Sequence, residues 1–218
     1  YRNTSTLGGA LSITMAFTIS GIGTNVEGIT INDFDGDGKL DFAMTDYTNK
    51  VVRTYRNVSL PLGAITFTTG PTLATTSNST YFIDSGDLEA DGRPDIVATG
   101  DGPFTYIFQN TSVSGTISFA TALTYSIGTD PRAVYIADLD RDDKPDIAVT
   151  SYASSTVSIL HNASTPGSIS FTFVLLLSNV ANSNGIGMAD LDGDGKPDLA
   201  TTNRTGNYLM VYRNTNSI

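Results

Sequence analysis

Four nine-residue stretches carry carboxylates at their first, third, fifth and ninth positions. They are Asp33, Asp35, Asp37 and Asp41 in residues 33–41, and Asp87, Glu89, Asp91 and Asp95 in 87–95. The other two sets are Asp138, Asp140, Asp142 and Asp146 in 138–146, and Asp190, Asp192, Asp194 and Asp198 in 190–198. Alternate positions in a tight turn aim three side chains at one point. A donor set made only of oxygen suits a hard cation, and six or more such donors favour Ca²⁺ over Mg²⁺. The seventh position holds Lys39, Arg93, Lys144 or Lys196. A cationic side chain does not coordinate metal, so this position is expected to give its backbone carbonyl. Gly38, Gly92 and Gly195 at the sixth position permit the positive φ that the turn needs. The second and third stretches are less regular: Ala90 stands in for one glycine, Arg141 and Asp143 for two. No stretch contains histidine, which disfavours zinc. The expected cofactor is Ca²⁺, up to four ions.

Four carboxylates within about 4–5 Å repel by roughly 1 kcal/mol per pair even in water. A solvated acidic turn has no reason to place its acids identically four times. An EF-hand is excluded because its twelfth position needs a bidentate glutamate, and Met44, Ala98, Val149 and Thr201 stand there.

The spacing of these stretches sets the architecture that must position them. They begin at residues 33, 87, 138 and 190, a period of 51–54 residues. That is about the length of one β-propeller blade. In the third unit, 132–137 reads as a mostly apolar inner strand, 147–152 as a second strand and 156–161 as a third. The alternating segment 168–174 reads as a half-exposed outer strand. Equivalent outer strands are expected at 11–17, 64–68 and 116–120. Thr, Ser, Val, Ile, Phe, Tyr and Gly dominate, and helical periodicity is absent. The expected fold is all-β, with four repeats of propeller blades, each of four antiparallel strands, forming a partial propeller or a small closed ring. Residues 1–218 form one repeat domain, and an N-terminal strand at about 9–18 is expected to complete a blade. Tyr1-Arg2-Asn3 matches Tyr55-Arg56-Asn57 and Tyr212-Arg213-Asn214, which suggests a mature or excised piece of something longer.

The formal net charge is -10, and the acid is concentrated. The four stretches hold 17 of the 22 Asp and Glu residues but 5 of the 12 Lys and Arg. The remaining chain has little basic surface and no Lys/Arg stripe with which to neutralise phosphates, so nucleic acid is not expected as a partner. No run of about 18 apolar residues is present to span a membrane as a helix. With no cysteine, disulfides and thiolate metal sites are excluded. All-oxygen sites suit the millimolar calcium outside cells, so an extracellular or cell-surface setting is expected.

The run Asp190-Leu-Asp-Gly-Asp-Gly-Lys-Pro-Asp198, followed by an apolar strand, resembles the FG-GAP/VCBS repeat. That repeat occurs in integrin α-subunit propellers and in bacterial secreted and surface proteins. The Asn-Ala-Ser-Thr-Pro-Gly run at 162–167 resembles the bacterial branch. The resemblance implies a calcium-binding propeller, usually seven-bladed, acting in adhesion, ligand recognition or scaffolding. The Phe-Gly and Gly-Ala-Pro elements that name the family are not present as such, and four repeats do not make a seven-bladed ring.

No nucleophile–base set can be assembled, and the single histidine, His161, reads as a strand-end surface residue. The chain is read as non-catalytic. A protein or glycan ligand is expected on the face opposite the calcium loops, built from 46–50, 100–103, 153–155 and 203–207 with the blade-to-blade loops 21–28, 75–80, 128–131 and 179–185. Other parts of the parent protein, or another chain, are further expected partners. The alternatives are a calcium-dependent lectin-type module, with Tyr47, Tyr81, Phe104 and Tyr152 as platforms, or the non-catalytic propeller of a larger secreted enzyme. Asn3, Asn57, Asn110 and Asn162 head Asn-x-Ser/Thr triplets at equivalent turns, with Asn78 and Asn203 elsewhere. They are read as turn chemistry rather than glycosylation sites.

Overall fold

A computed structural model of the protein describes residues 2–3, 13–15, 18–23, 25–61, 63–76, 79–178 and 180–216. Regular structure among these residues is entirely β. A short pair, β1 (Arg2–Asn3) and β2 (Ile13–Thr14), precedes the first full blade. That blade comprises β3 (Val26–Asn32), β4 (Asp41–Asp46), β5 (Val51–Asn57) and β6 (Phe67–Ala74). The second comprises β7 (Thr80–Gly86), β8 (Asp95–Gly100), β9 (Phe104–Phe108) and β10 (Leu123–Ser126). The third comprises β11 (Pro131–Ala137), β12 (Asp146–Ser151), β13 (Thr156–Asn162) and β14 (Phe171–Leu177). The fourth sheet has three strands, β15 (Ile186–Ala189), β16 (Asp198–Asn203) and β17 (Tyr208–Tyr212). Every sheet is an antiparallel meander in chain order.

This is a partial propeller. Ile13 and Thr14 pair with Asn3 and Arg2, while β17 pairs only with β16 among the described residues. Most of the expected strand at 9–18 lies outside those residues.

The second strand of each blade is flanked on both sides and carries small or β-branched residues. Asp95–Gly100 and Asp146–Ser151 are buried at every position. The core lies between successive blades rather than inside one. Phe34, Ala43 and Val52 pack with Ile83, Ile96 and Tyr106, and Leu88, Val97 and Ile107 pack with Val134, Val149 and Leu160. The residue at the second position of the first two acidic stretches is the plug. Phe34 and Leu88 are 0% and 1% exposed against the next blade, whereas Leu191, in the last stretch, is 57% exposed. Burying such a side chain stabilises the fold by about 1.5–3 kcal/mol.

Inner strands sit close to one another. Each of β3, β7 and β11 carries a register shift near its start. A threonine of the neighbouring strand accepts the freed amide: Gly28 N to Thr45 at 2.8 Å, Phe82 N to Thr99 at 3.2 Å and Ala133 N to Thr150 at 3.0 Å. Thr45 also donates to Tyr81 O of the next inner strand at 2.8 Å, and Thr99 donates to Arg132 O. A Cβ on Gly28 would lie 2.9 Å from Tyr81 O, so glycine is required by the approach of the two backbones.

The outer strands correct the sequence reading. They were expected at 64–68, 116–120 and 168–174, but the ladders begin at Phe67, Leu123 and Phe171. The alternating segments instead close turns through bridges such as Asn110 to Phe119 and Thr165 to Ser168. Their apolar members are anchors for those turns: Ile117 and Ile169 are buried.

Candidate metal centres

All four acidic stretches share one backbone form. The fourth and sixth positions lie in the left-handed region throughout: Gly36 and Gly38, Ala90 and Gly92, Arg141 and Asp143, Gly193 and Gly195. Ala90 at φ 58° and Arg141 at φ 66° hold conformations natural to glycine. The loop geometry therefore persists where its preferred residues do not. Ala90→Gly is expected to raise stability by about 0.5–1 kcal/mol, read from urea midpoints; a lower midpoint would show that the Ala90 methyl is a contact worth more than its strain.

The acids hold the loop before they hold anything else. Asp33 accepts Asp37 N and Gly38 N, Asp87 accepts Asp91 N and Gly92 N, and Asp190 accepts Gly193 N and Gly195 N. At the fifth position, Asp37, Asp91, Asp142 and Asp194 accept the seventh-position amide at 2.9–3.0 Å. These local bonds fix the carboxylates; in the first and fourth loops Arg56 and Arg213 also pair with them and would have to yield to an ion. Oxygens of Asp33, Asp35 and Asp37 lie within 4.8 Å of one another. So do those of Asp138, Asp140 and Asp142, and of Asp190, Asp192 and Asp194. Bonds of 2.3–2.6 Å place any two ligands of one Ca²⁺ at most about 5 Å apart. The first, third and fourth stretches therefore fit the ion. In the second, both oxygens of buried Glu89 accept from Gln109 Nε2, at 2.7 and 2.9 Å. No such cluster forms there among the described residues.

Ninth-position acids have a different setting. Asp41, Asp95, Asp146 and Asp198 open the second strands and are at most 3% exposed. One oxygen accepts the second-position amide of its own loop (Phe34, Leu88, Leu139 or Leu191) at 2.9–3.1 Å. The other accepts the amide of Asn57, Asn110, Asn162 or Asn214 at 2.7–2.9 Å. Burial pushes the carboxyls of Asp41 and Asp146 upward despite these bonds, and Asp95 is pushed up to about 7. Asp198 goes the other way, held down by the Asn214 amide and by Arg213.

The Asp95 shift has a sign that can be tested in metal-free protein. Between pH about 4 and 7 the folded chain keeps a proton that the unfolded chain, with its ordinary value of 3.8, has released. This contribution to stability therefore falls as pH rises through that window, by up to about 1.4 kcal/mol per unit, and levels off above it. Asp41 and Asp146 add the same sign. Urea midpoints that climb from pH 5 to 7 would contradict the assignment.

A side chain at the end of each third strand reaches into the loop. Arg56 contacts Asp35 at 2.5 Å and Asp37 at 2.7 Å, and Arg213 contacts Asp192 at 2.5 Å. Gln109 and His161 occupy the same register in their repeats. His161 is more than a surface residue: its Nδ1 lies 3.2 Å from Asp140 and 3.3 Å from Asp146. Of the seventh-position side chains, Lys39, Arg93 and Lys196 pair with the fifth-position carboxylate of their own loop, while Lys144 donates to Ser164 O at 3.1 Å and Lys196 also to Asn216 O at 2.6 Å.

The next residue is an asparagine that ties the loops together. Asn110 Nδ2 donates to Phe34 O of the preceding loop at 2.9 Å, Asn162 to Leu88 O at 2.8 Å and Asn214 to Leu139 O at 2.7 Å. Each also donates to the eighth-position carbonyl of its own loop, Pro94, Pro145 or Pro197. Their Oδ1 atoms accept Ser112 N, Ser164 N and Asn216 N. The sequence reading missed this role, although the recurrence of Asn at one phase of the repeat signalled it.

A family model of the FG-GAP-like repeat matches residues 33–98, 87–149 and 144–201, each match running from one of these clamped loops into the next. The chain belongs to the FG-GAP-like repeat family. A comparison with curated proteins finds no match. In these FG-GAP-like repeats Asn110 and Asn162 are fully buried with both amide hydrogens used, so neither is open to glycosylation in the folded chain. Asn78 lies outside the described residues.

At the opposite end of the strands a charged and aromatic cluster joins three repeats. Arg132 stacks 3.5 Å over Tyr81 and 5.2 Å from Tyr152, and pairs with Asp130 at 3.0 Å. Tyr81 donates to Asp101, as does Tyr47 at 3.3 Å. Burial and the Asp101 bond hold the Tyr81 hydroxyl far above its ordinary value.

Proposed function

We propose that this propeller segment binds Ca²⁺ in its acidic loops and serves, outside the cell, as a non-catalytic scaffold that presents its opposite face to a protein or glycan ligand. The observation that carries the reading is the convergence of three carboxylates in each of the first, third and fourth loops, held in place by the loops' own amides. Calcium would be held by Asp33, Asp35, Asp37 and Asp41, with the Lys39 carbonyl, and by their equivalents at 138–146 and 190–198. Bound there, it supplies charge neutralisation to an otherwise repulsive turn. Asp87, Glu89, Asp91 and Asp95, with Arg93, form the weakest site, because among the described residues their oxygens do not converge as those of the other loops do, with both oxygens of Glu89 turned to Gln109. Catalysis is disfavoured by the commitment of these acids to amides.

The presenting face contains a shallow depression of about 550 Å³ lined by Ser154, Ser155, Ala181, Asn203, Thr205 and Tyr208. A lectin built on stacked tyrosines is the poorer reading, since Tyr81 is buried beneath Arg132. Native mass spectrometry in millimolar Ca²⁺ tests the metal assignment. Successive adducts are expected, with D37N and D194N each removing one and D91N changing only the last to form. A chain that takes up no calcium would sink the reading.

A further inference from the structure

We infer that the third repeat carries a site for a first-row transition ion of the zinc class, overlapping its calcium loop and formed by His161 Nδ1, Asp140 and Asp146. The three groups offer ligand atoms within 4.8 Å of one another. The nitrogen lies 3.2 Å from Asp140 Oδ2 and 3.3 Å from Asp146 Oδ1. The edge of a tetrahedron with metal–ligand bonds of 2.0–2.1 Å is about 3.3 Å, which matches both separations from the imidazole nitrogen. Mixed imidazole and carboxylate donors favour zinc and its neighbours over calcium.

The site is particular to this repeat. At the same register the other repeats place Arg56, Gln109 and Arg213, none of which is a metal ligand of this kind. The donors are also positioned by the fold. Asp146 is anchored by the amides of Leu139 and Asn162, and His161 lies on β13, whose partner β14 pairs it with Thr172. A second observation marks the place as open to a ligand. Asp140, Asp146 and His161 line one wall of a cleft of about 640 Å³ between the third and fourth repeats, whose other walls include Ile159, Leu199 and Tyr212. Such a cleft, apolar with a few convergent polar groups, is the usual form of a small-ligand site.

The inference is distinct from the calcium reading in its imidazole donor, although both use Asp140 and Asp146. Zinc is therefore expected to displace one calcium and no more.

His161 is the single histidine of the chain, so its imidazole protons give an unambiguous NMR signal. Metal-free full chain is titrated with Zn²⁺ and, separately, with Ca²⁺. One equivalent of Zn²⁺ is expected to shift the His161 resonances, while excess Ca²⁺ leaves the imidazole unligated. His161→Gln copies the residue of the second repeat and is expected to weaken zinc binding by about a hundredfold or more while calcium adducts remain. A His161 signal unmoved by Zn²⁺ would overturn the site, as would wild-type zinc affinity in the Gln variant. If that variant does not fold, the wild-type titration decides alone. Loss of the calcium response with the zinc shift intact would count against the proposed function only.

Discussion

Replacing Asn162 by alanine is expected to destabilise the chain by about 4 kcal/mol. The side chain is fully buried and makes three bonds: to Leu88 O and Pro145 O at 2.8 Å each, and from Ser164 N at 2.8 Å. Alanine leaves two carbonyls and one amide without partners, at about 1–3 kcal/mol for each group that water does not reach. Asn57→Ala is the matched control. Asn57 is half-buried, donates to Leu40 O and accepts Ser59 N, so its loss is expected to cost about 1–2 kcal/mol. Urea unfolding of both variants checks the ranking. Equal losses would show that the bond into the preceding repeat carries no special weight.

Removing calcium is expected to have the next largest effect. With free Ca²⁺ tenfold above Kd, each occupied loop adds about 1.4 kcal/mol, so the three converged triads together add about 4. For a chain of this size that corresponds to a fall of about 8–16 °C in Tm on adding chelator. A loss of that size is comparable to much of a domain's net stability. The loss should shrink by about a third in Asp194→Asn and hardly at all in Asp91→Asn, because Asp91 sits in the loop whose Glu89 is held by Gln109. Differential scanning calorimetry with and without chelator gives both numbers. A Tm indifferent to chelator would mean that Arg56, Arg213 and the loop amides already neutralise the acids well enough.

The blades were legible because their signals are local and repeated. A fixed interval between acidic stretches gives the repeat, and a nine-residue sequence gives the turn. The left-handed backbone at Ala90 and Arg141 could be expected from register alone, since glycine occupies those phases in the first and fourth loops. Alternation, by contrast, misplaced the outer strands. A tight turn that buries Ile117 or Ile169 and exposes its neighbours produces the same period-two pattern as a half-buried strand. The contacts between repeats were hidden for another reason. Asn162 reads as one more polar turn residue, and only the packing of β13 beside the previous loop shows what its amide reaches. His161 was misjudged similarly: it is distant in sequence from Asp140, and the antiparallel return of the chain brings them together.

The bonds by which Asn110, Asn162 and Asn214 cross between repeats all point backwards, each to the loop before it. By this route order in the array is inherited in one direction. Through these bonds a loop gains support once its successor has folded against it, so damage in one repeat should loosen its predecessor; the fourth loop is held instead from the third, by Arg141 on Asp194 O and Gly195 O. Among the described residues the loop at 190–198 receives no such asparagine bond, and its Leu191 stays in solvent. Hydrogen exchange should find that loop opening first, with protection rising towards the N-terminal side, as in a row of roof tiles where each course pins the one laid beneath it.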